Sequence, residues 1–236
     1  MGIGGVGVNA LAKFAADFGI EVCGSDAKIN DLCKELVKNG AKISKNPDFS
    51  LLETSDFLVF SSAIPKDNQE LVFAREAGIP IYERHEFLAE VSHLFGKVVA
   101  IAGTHGKTTT TAMLTQILFE NDVKFASMIG GESIDFSNYV NNTSAERIAD
   151  LKDCIFVCEA CEYVDTFLQL NPFISIILNI DADHLDYFKN LDNIKKSFNK
   201  FAKQTTGLLV INGDDQNTLD AVNDVDIEKI TYGFGE

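Results

Sequence analysis

The sequence predicts an α/β protein built on doubly wound parallel sheets and divided into two domains, residues 1–95 and 96–236. Three observations predict it. Short apolar runs alternate with segments whose apolar residues recur at helical spacing. The apolar runs end in loops rich in Gly, Ser or Asp, a pattern of βα units. The strand–loop–helix pattern then restarts near Gly96, with no internal repeat and no Pro/Ser-rich linker.

In chain order, Gly2 to Gly7 form a loop. A helix follows over 8–18, with Val8, Leu11, Ala12, Ala15 and Phe18 on one face and Gly19 as its stop. Residues 20–23 read as a short strand ending at Gly24-Ser25-Asp26. A helix over 31–38 stops at Asn39-Gly40. Residues 57–60 are continuously apolar, as strands buried on both faces are, and end in Ser61-Ser62. A helix over 68–77 stops at Gly78, 80–82 is a weak strand and 86–95 a helix. In the second domain 98–102 is a buried strand, followed by a Gly-rich loop and a helix to residue 120. Residues 154–158 form a strand ending in Glu159, and 174–178 one ending in Asn179 and an acidic loop. Residues 192–203 are helical, with Leu191, Ile194, Phe198 and Phe201 sharing a face; 208–211 and 229–232 are further strands.

Composition narrows the function classes. A chain of 236 residues with 46% hydrophobic and 23% charged residues buries a core without disulfide or metal staples. The formal charge of −15, from 35 acidic against 20 basic residues, disfavours nucleic acid as a partner, which needs a basic face. No apolar run approaches the ~18–20 residues of a membrane span. The first residues lack the basic and apolar regions of a signal peptide. Five cysteines, an odd number at irregular spacing, fit a reducing cytoplasm.

The strongest motif is Gly103-Thr104-His105-Gly106-Lys107-Thr108-Thr109, between an apolar strand and a helix. Backbone N–H groups of such a loop and the positive end of the helix attract phosphate, a lysine reaches terminal phosphates, and a threonine hydroxyl can ligate Mg²⁺. These residues are therefore candidates for ATP. Ile101 stands where the full phosphate-loop pattern has its first glycine, and an ordinary βα turn is the alternative. Gly2-Ile3-Gly4-Gly5-Val6-Gly7 matches G-x-G-x-x-G, with Asp26 nineteen residues after Gly7, which suits a Rossmann-like nucleotide site. The strand that should precede that loop is missing; only Met1 stands ahead of it.

Glu159 and His184 read as lying just past two strands, on the sheet edge where ligands bind, where they could hold Mg²⁺ beside phosphates. Asp181, Asp183 and Asp186 around His184 read as a solvated loop. Cys154, Cys158 and Cys161 have a C-x3-C-x2-C spacing, but the first two bracket a strand and so stand ~13 Å apart, which disfavours a cluster and favours core thiols.

Together these residues resemble the Mur ligase family. The matching segments are Gly2–Gly7, Ser61-Ser62-Ala63-Ile64, 84–88, 103–111, Glu159-Ala160-Cys161-Glu162-Tyr163, Phe167-Leu168 and 179–187, in order over most of residues 1–215; Cys161 is similar to clostridial members. The resemblance implies a Rossmann-like N-terminal domain and a partial P-loop-type central ATP-binding domain. It implies ATP-dependent amide synthesis for peptidoglycan: the lactyl carboxylate of UDP-N-acetylmuramate attacks the γ-phosphate, and the amine of L-alanine attacks the acyl phosphate formed. Lys107 and the loop N–H groups would neutralise the γ-phosphate, Thr108 and Glu159 would hold Mg²⁺, and His184 a second Mg²⁺. Gly4, Gly5 and Gly7 with Ser61 and Ser62 would hold the diphosphate of the UDP-sugar, with Asp26 near its ribose or uracil.

A related ligase that takes a recycled tripeptide, and a non-catalytic nucleotide-binding module, remain alternatives; a second phosphate loop does not suit a nicotinamide oxidoreductase. Three departures from the family pattern stand out: the strand before the first loop, a divergent stretch at 132–142, and adenine contacts and a third domain expected beyond residue 236. The expectation is a chain cut at both ends that does not complete the ligation alone.

Overall fold

The computed structural model describes residues 1–131 and 136–235. The chain divides into two compact units: Met1–Leu88 with Ser137–Tyr139, and Ala89–Phe136 with Val140–Glu236.

In the first unit, helix α1 (Val6–Asp17) follows the glycine loop directly. Ile20 N–H bonds back to Ala15 O, so Ile20 completes the helix end, and strand β1 begins only at Cys23 (Cys23–Ser25). The expected strand at 20–23 is thus displaced by the helix cap. Helices α2 (Asp31–Lys38), α3 (Phe49–Glu53) and α4 (Gln69–Glu76) each start on a side chain that accepts a first-turn N–H: Asn30, Asp48 and Asn68. β1 pairs in parallel with β2 (Lys42–Ser44), and β3 (Leu58–Phe60) with β4 (Ile81–Glu83).

The first unit therefore has two two-stranded sheets in place of a single continuous one. Met1 lies extended between them. Its amine donates to Val59 O at 2.6 Å, its carbonyl accepts from Ser61 N–H at 3.2 Å, and Gly2 N–H donates to Ser25 O at 2.9 Å. Burial lowers the Met1 amine to about 6, partly offset by the nearby Glu70 charge. One small core gathers Met1, Leu52, Leu58, Leu71 and Ala74, another Ile3, Val8, Cys33, Leu36 and Ala41. A cavity of about 320 Å³ is lined by residues of both, among them Ile3, Val8, Leu52 and Leu58.

Helix α5 (Arg84–Ser92) leads into the second unit. There β5 (Lys97–Ala102), β6 (Phe125–Met128), β7 (Tyr139–Asn141), β8 (Ile155–Ala160), β9 (Ile174–Ile177), β10 (Leu208–Asn212) and β11 (Glu228–Tyr232) belong to a seven-stranded sheet of order β11-β10-β9-β5-β8-β6-β7. The pairings from β11 to β6 are parallel. β5 lies at the middle and is buried from Val98 to Ala102, which is why its sequence is apolar without alternation. Leu114 and Leu118 of helix α6 (Lys107–Glu120) pack on Val99, Ile101, Val157 and Leu178. Two short helices, α7 (Leu185–Phe188) and α9 (Gln216–Ala221), flank α8 (Leu191–Gln204). Helix α8 buries Ile194, Phe198 and Phe201, and Phe201 stacks on Phe167 at 4.6 Å.

β6 and β7 have no counterpart in the sequence reading: Ser127 interrupts the apolar residues of β6, and β7 is only three residues long. Cys154 and Cys158 are buried, and Cys154 Sγ lies 3.8 Å from Thr143 O and 3.9 Å from Asp150 O. Among the described residues no helix is long and apolar enough to cross a membrane.

Candidate functional site

The site of the second unit grows from the end of β5. The chain leaves Ala102 through Gly103 (φ +140°) and Gly106 (φ +86°), backbone settings that side chains rarely adopt. A Cβ on Gly103 would stand 3.0 Å from Leu178 Cβ, so glycine is also needed for close approach. Lys107 opens α6, and its ammonium turns back to donate to Gly103 O (2.5 Å), Thr104 O (3.2 Å) and the Glu162 carboxylate (2.9 Å). Thr108 Oγ1 donates to Glu159 Oε2 at 3.1 Å, and Gly130 N–H to Glu159 Oε1 at 2.5 Å.

Two expected placements change. Glu159 lies inside β8, opposite Ile101, rather than past the strand end. Its backbone pairs within the sheet while its side chain meets the first turn of α6. His184 is seven residues beyond the end of β9, at the N-cap of α7, in the left-handed region (φ 51°). Its Nε2 is 3.9 Å from Glu162 Oε1 and its Nδ1 4.0 Å from Asp183 Oδ1. The Tyr163 ring packs on it with centroids 4.6 Å apart. Tyr163 OH donates to Asp186 Oδ2 at 3.2 Å, a hydrogen bond that raises the phenol pKa. Asp181 is also fixed locally: its N–H donates to Thr104 Oγ1 at 2.9 Å.

The structure thus brings Lys107, Thr108, Glu159 and His184 to one edge of the sheet, and adds Glu162, which the sequence reading left out of the site. Glu162 is 2% exposed, and its Oε1 has no hydrogen-bond partner among the described residues. The signal was its place three residues after Glu159, but only the fold shows that it faces Lys107. Val164 (φ 54°) and Asp165 (φ 59°) follow in left-handed settings that cost roughly 1–3 kcal/mol each. The Asp165 carboxylate offsets part of that cost by accepting from Tyr187 OH (2.8 Å) and Ser197 Oγ.

In the first unit Asp26 serves its own loop. Its two oxygens accept from Gly4 N–H and Lys28 N–H, each at 2.8 Å. A Cβ on Gly4 would come within 2.9 Å of Asp26 Oδ2, and one on Gly7 within 2.6 Å of Arg84 Cδ. Gly5 is exposed. Ser61 sits beside Gly2, where an added Cβ would meet Ser61 Cβ at 3.1 Å, and Ser62 is exposed. Of the divergent stretch, 132–135 lie outside the described residues. Its Asn138 is fully buried: Nδ2 donates to Val6 O and Asn9 Oδ1, and Oδ1 accepts from Lys13 Nζ at 3.0 Å.

The profile described as Mur ligase family, catalytic domain, matches residues 1–95, and that of the Mur ligase middle domain matches residues 101–236. The chain belongs to the Mur ligase family. A UDP-N-acetylmuramate–L-alanine ligase of Alkaliphilus metalliredigens is 36% identical over 99% of this chain and 50% of its own length. One of Caldicellulosiruptor bescii is 40% identical over 100% of this chain and 50% of its own. This Mur ligase chain therefore spans about half the length of the curated relatives it matches. Among solved structures, a UDP-N-acetylmuramate–alanine ligase of Thermotoga maritima superposes with a TM-score of 0.83 at 26% identity, covering 100% of this chain and 52% of that one. A UDP-N-acetylmuramate:L-alanyl-γ-D-glutamyl-meso-diaminopimelate ligase of Neisseria gives 0.82 at 28% identity, covering 100% and 76%.

Proposed function

We propose that this Mur ligase chain is the nucleotide-handling part of an enzyme that joins L-alanine to the lactyl carboxylate of UDP-N-acetylmuramate with ATP, in cytoplasmic synthesis of the peptidoglycan precursor. The observation that carries the reading is the meeting of Lys107, Thr108, Glu159 and His184 around one glycine-bent loop at a helix N-terminus. The curated relatives' names supply the substrates.

ATP would lie on the loop from Gly103 to Thr109. Lys107 would leave Glu162 for the γ-phosphate and neutralise charge there as the carboxylate attacks. Thr108 Oγ1 and Glu159 Oε2, two oxygen donors 3.1 Å apart, fit the preference of Mg²⁺ for oxygen, and His184 would hold a second ion. Bound there, Mg²⁺ would offset phosphate charge. The glycine loop of the first unit, with Gly4, Gly5, Gly7, Ser61 and Ser62, would take the diphosphate of the UDP-sugar; Asp26 would act by fixing that loop through Gly4.

The test is ATP-dependent phosphate release with UDP-N-acetylmuramate by a chain as long as the relatives, offering L-alanine against the tripeptide. Release with L-alanine supports the reading. Release with the tripeptide alone would move the chain to the recycling ligases, whose Neisseria representative it resembles in fold.

A further inference from the structure

We infer that Asn179 is a positioning residue for the phosphate loop, an inference that rests on the nucleotide reading above. Thr104 N–H donates to Asn179 backbone O at 3.0 Å. His105 N–H donates to Asn179 Oδ1 at 2.8 Å, and Asn179 Nδ2 donates to His105 O at 3.0 Å. One planar amide thus closes both backbone groups of His105. The first amide of α6 to bond back is that of Thr110, to Gly106 O at 3.0 Å. The N–H groups of Gly106, Lys107, Thr108 and Thr109 precede it and have no helical acceptor. Two of the loop's amides are therefore spent on Asn179, and the donor set left for an anion is the run from Gly106 to Thr109.

The turn that carries Asn179 is held from behind. Asn212 Nδ2 donates to Leu178 O at 3.1 Å, Ile180 N–H to Asp215 Oδ2 at 2.9 Å, and Asn217 Nδ2 to Ile180 O at 2.8 Å. The bonds form a chain from the β10–α9 connection through the Asn179 turn to the loop. A donor set fixed before the ligand arrives does not spend binding energy on ordering itself. Asparagine is required because the position needs one acceptor and one donor. Aspartate would set a second acceptor against His105 O.

The experiment is amide-resolved hydrogen exchange by NMR, with calorimetric titration of Mg²⁺–ADP, on this chain and two variants. In the unaltered chain the His105 amide is expected to exchange about tenfold slower than that of Gly106. Asn179→Ala is expected to speed His105 about tenfold, leave Thr104 slow because its acceptor is backbone, and raise the ADP Kd about tenfold. A merely structural role would open Thr104 and His105 together. Asn179→Asp keeps the acceptor and the shape, so His105 stays slow while ADP binding weakens. His105 exchanging as fast as Gly106 in the unaltered chain, or equal ADP affinity in all three proteins, would overturn the inference. Absence of ADP binding by a chain as long as the relatives would defeat the nucleotide reading instead, and the exchange pattern would still decide the role of Asn179.

Discussion

Lys107 is held by three acceptors within the protein, one of them a carboxylate that is almost wholly buried. Removing it leaves Glu162 without its cation and removes the charge available to a γ-phosphate. Lys107→Ala is expected to lower ligase turnover of a full-length enzyme by orders of magnitude, read by phosphate release; turnover at the unaltered level would defeat the assignment. Glu159→Ala is expected to lower activity in a way that excess Mg²⁺ partly restores, read by titrating the ion; the same Mg²⁺ dependence in both proteins would count against a metal role. Burial raises the Cys154 thiol pKa, chiefly through desolvation. A raised thiol pKa means less thiolate at every pH, so iodoacetamide between pH 7 and 9 should label half-buried Cys161 well before Cys154. Peptide mapping of the alkylated chain reads the order.

The decisive element is the strand–loop–helix of β5, Gly103–Gly106 and α6. Its glycines do two jobs that the motif alone does not separate: Gly106 turns the chain with positive φ, and Gly103 also lets Leu178 and Asn179 come close. Gly103→Ala is expected to cost about 2 kcal/mol, from a strained φ and a 3.0 Å contact with Leu178 Cβ, measured by urea unfolding. A loss under about 0.5 kcal/mol would show that the loop relaxes freely. In the first unit the two strand pairs β1–β2 and β3–β4 are joined through Met1 and Gly2 rather than through a shared strand.

Two compact units, each with its own core, carry two glycine loops. Ligation needs nucleotide sugar, ATP and amine held together, and enforced alignment lowers such a barrier by roughly 7–11 kcal/mol. The 236-residue chain spans about half the length of its curated relatives. This chain alone is expected to form no UDP-N-acetylmuramoyl-L-alanine, read by mass spectrometry after incubation with all three substrates. Product formation would show that the two units suffice.

Much of the fold and of the site was legible in residue order alone. Apolar runs such as Val98–Ala102 marked the buried strands because a central parallel strand is covered on both faces and has no polar side to show. Gly-x-x-Gly-Lys-Thr marked the turn from β5 into α6 because its geometry is local, and Gly19 and Gly78 marked helix ends for the same reason. Distant pairings were not legible. That Glu162 receives the Lys107 ammonium, that Asn179 closes the His105 backbone and that Asn138 is buried against Val6 and Asn9 depend on segments 55, 74 and 132 residues apart in the chain. Such contacts are set by which strands neighbour each other, here β5 between β8 and β9, and that order is a property of the packed sheet rather than of any one segment.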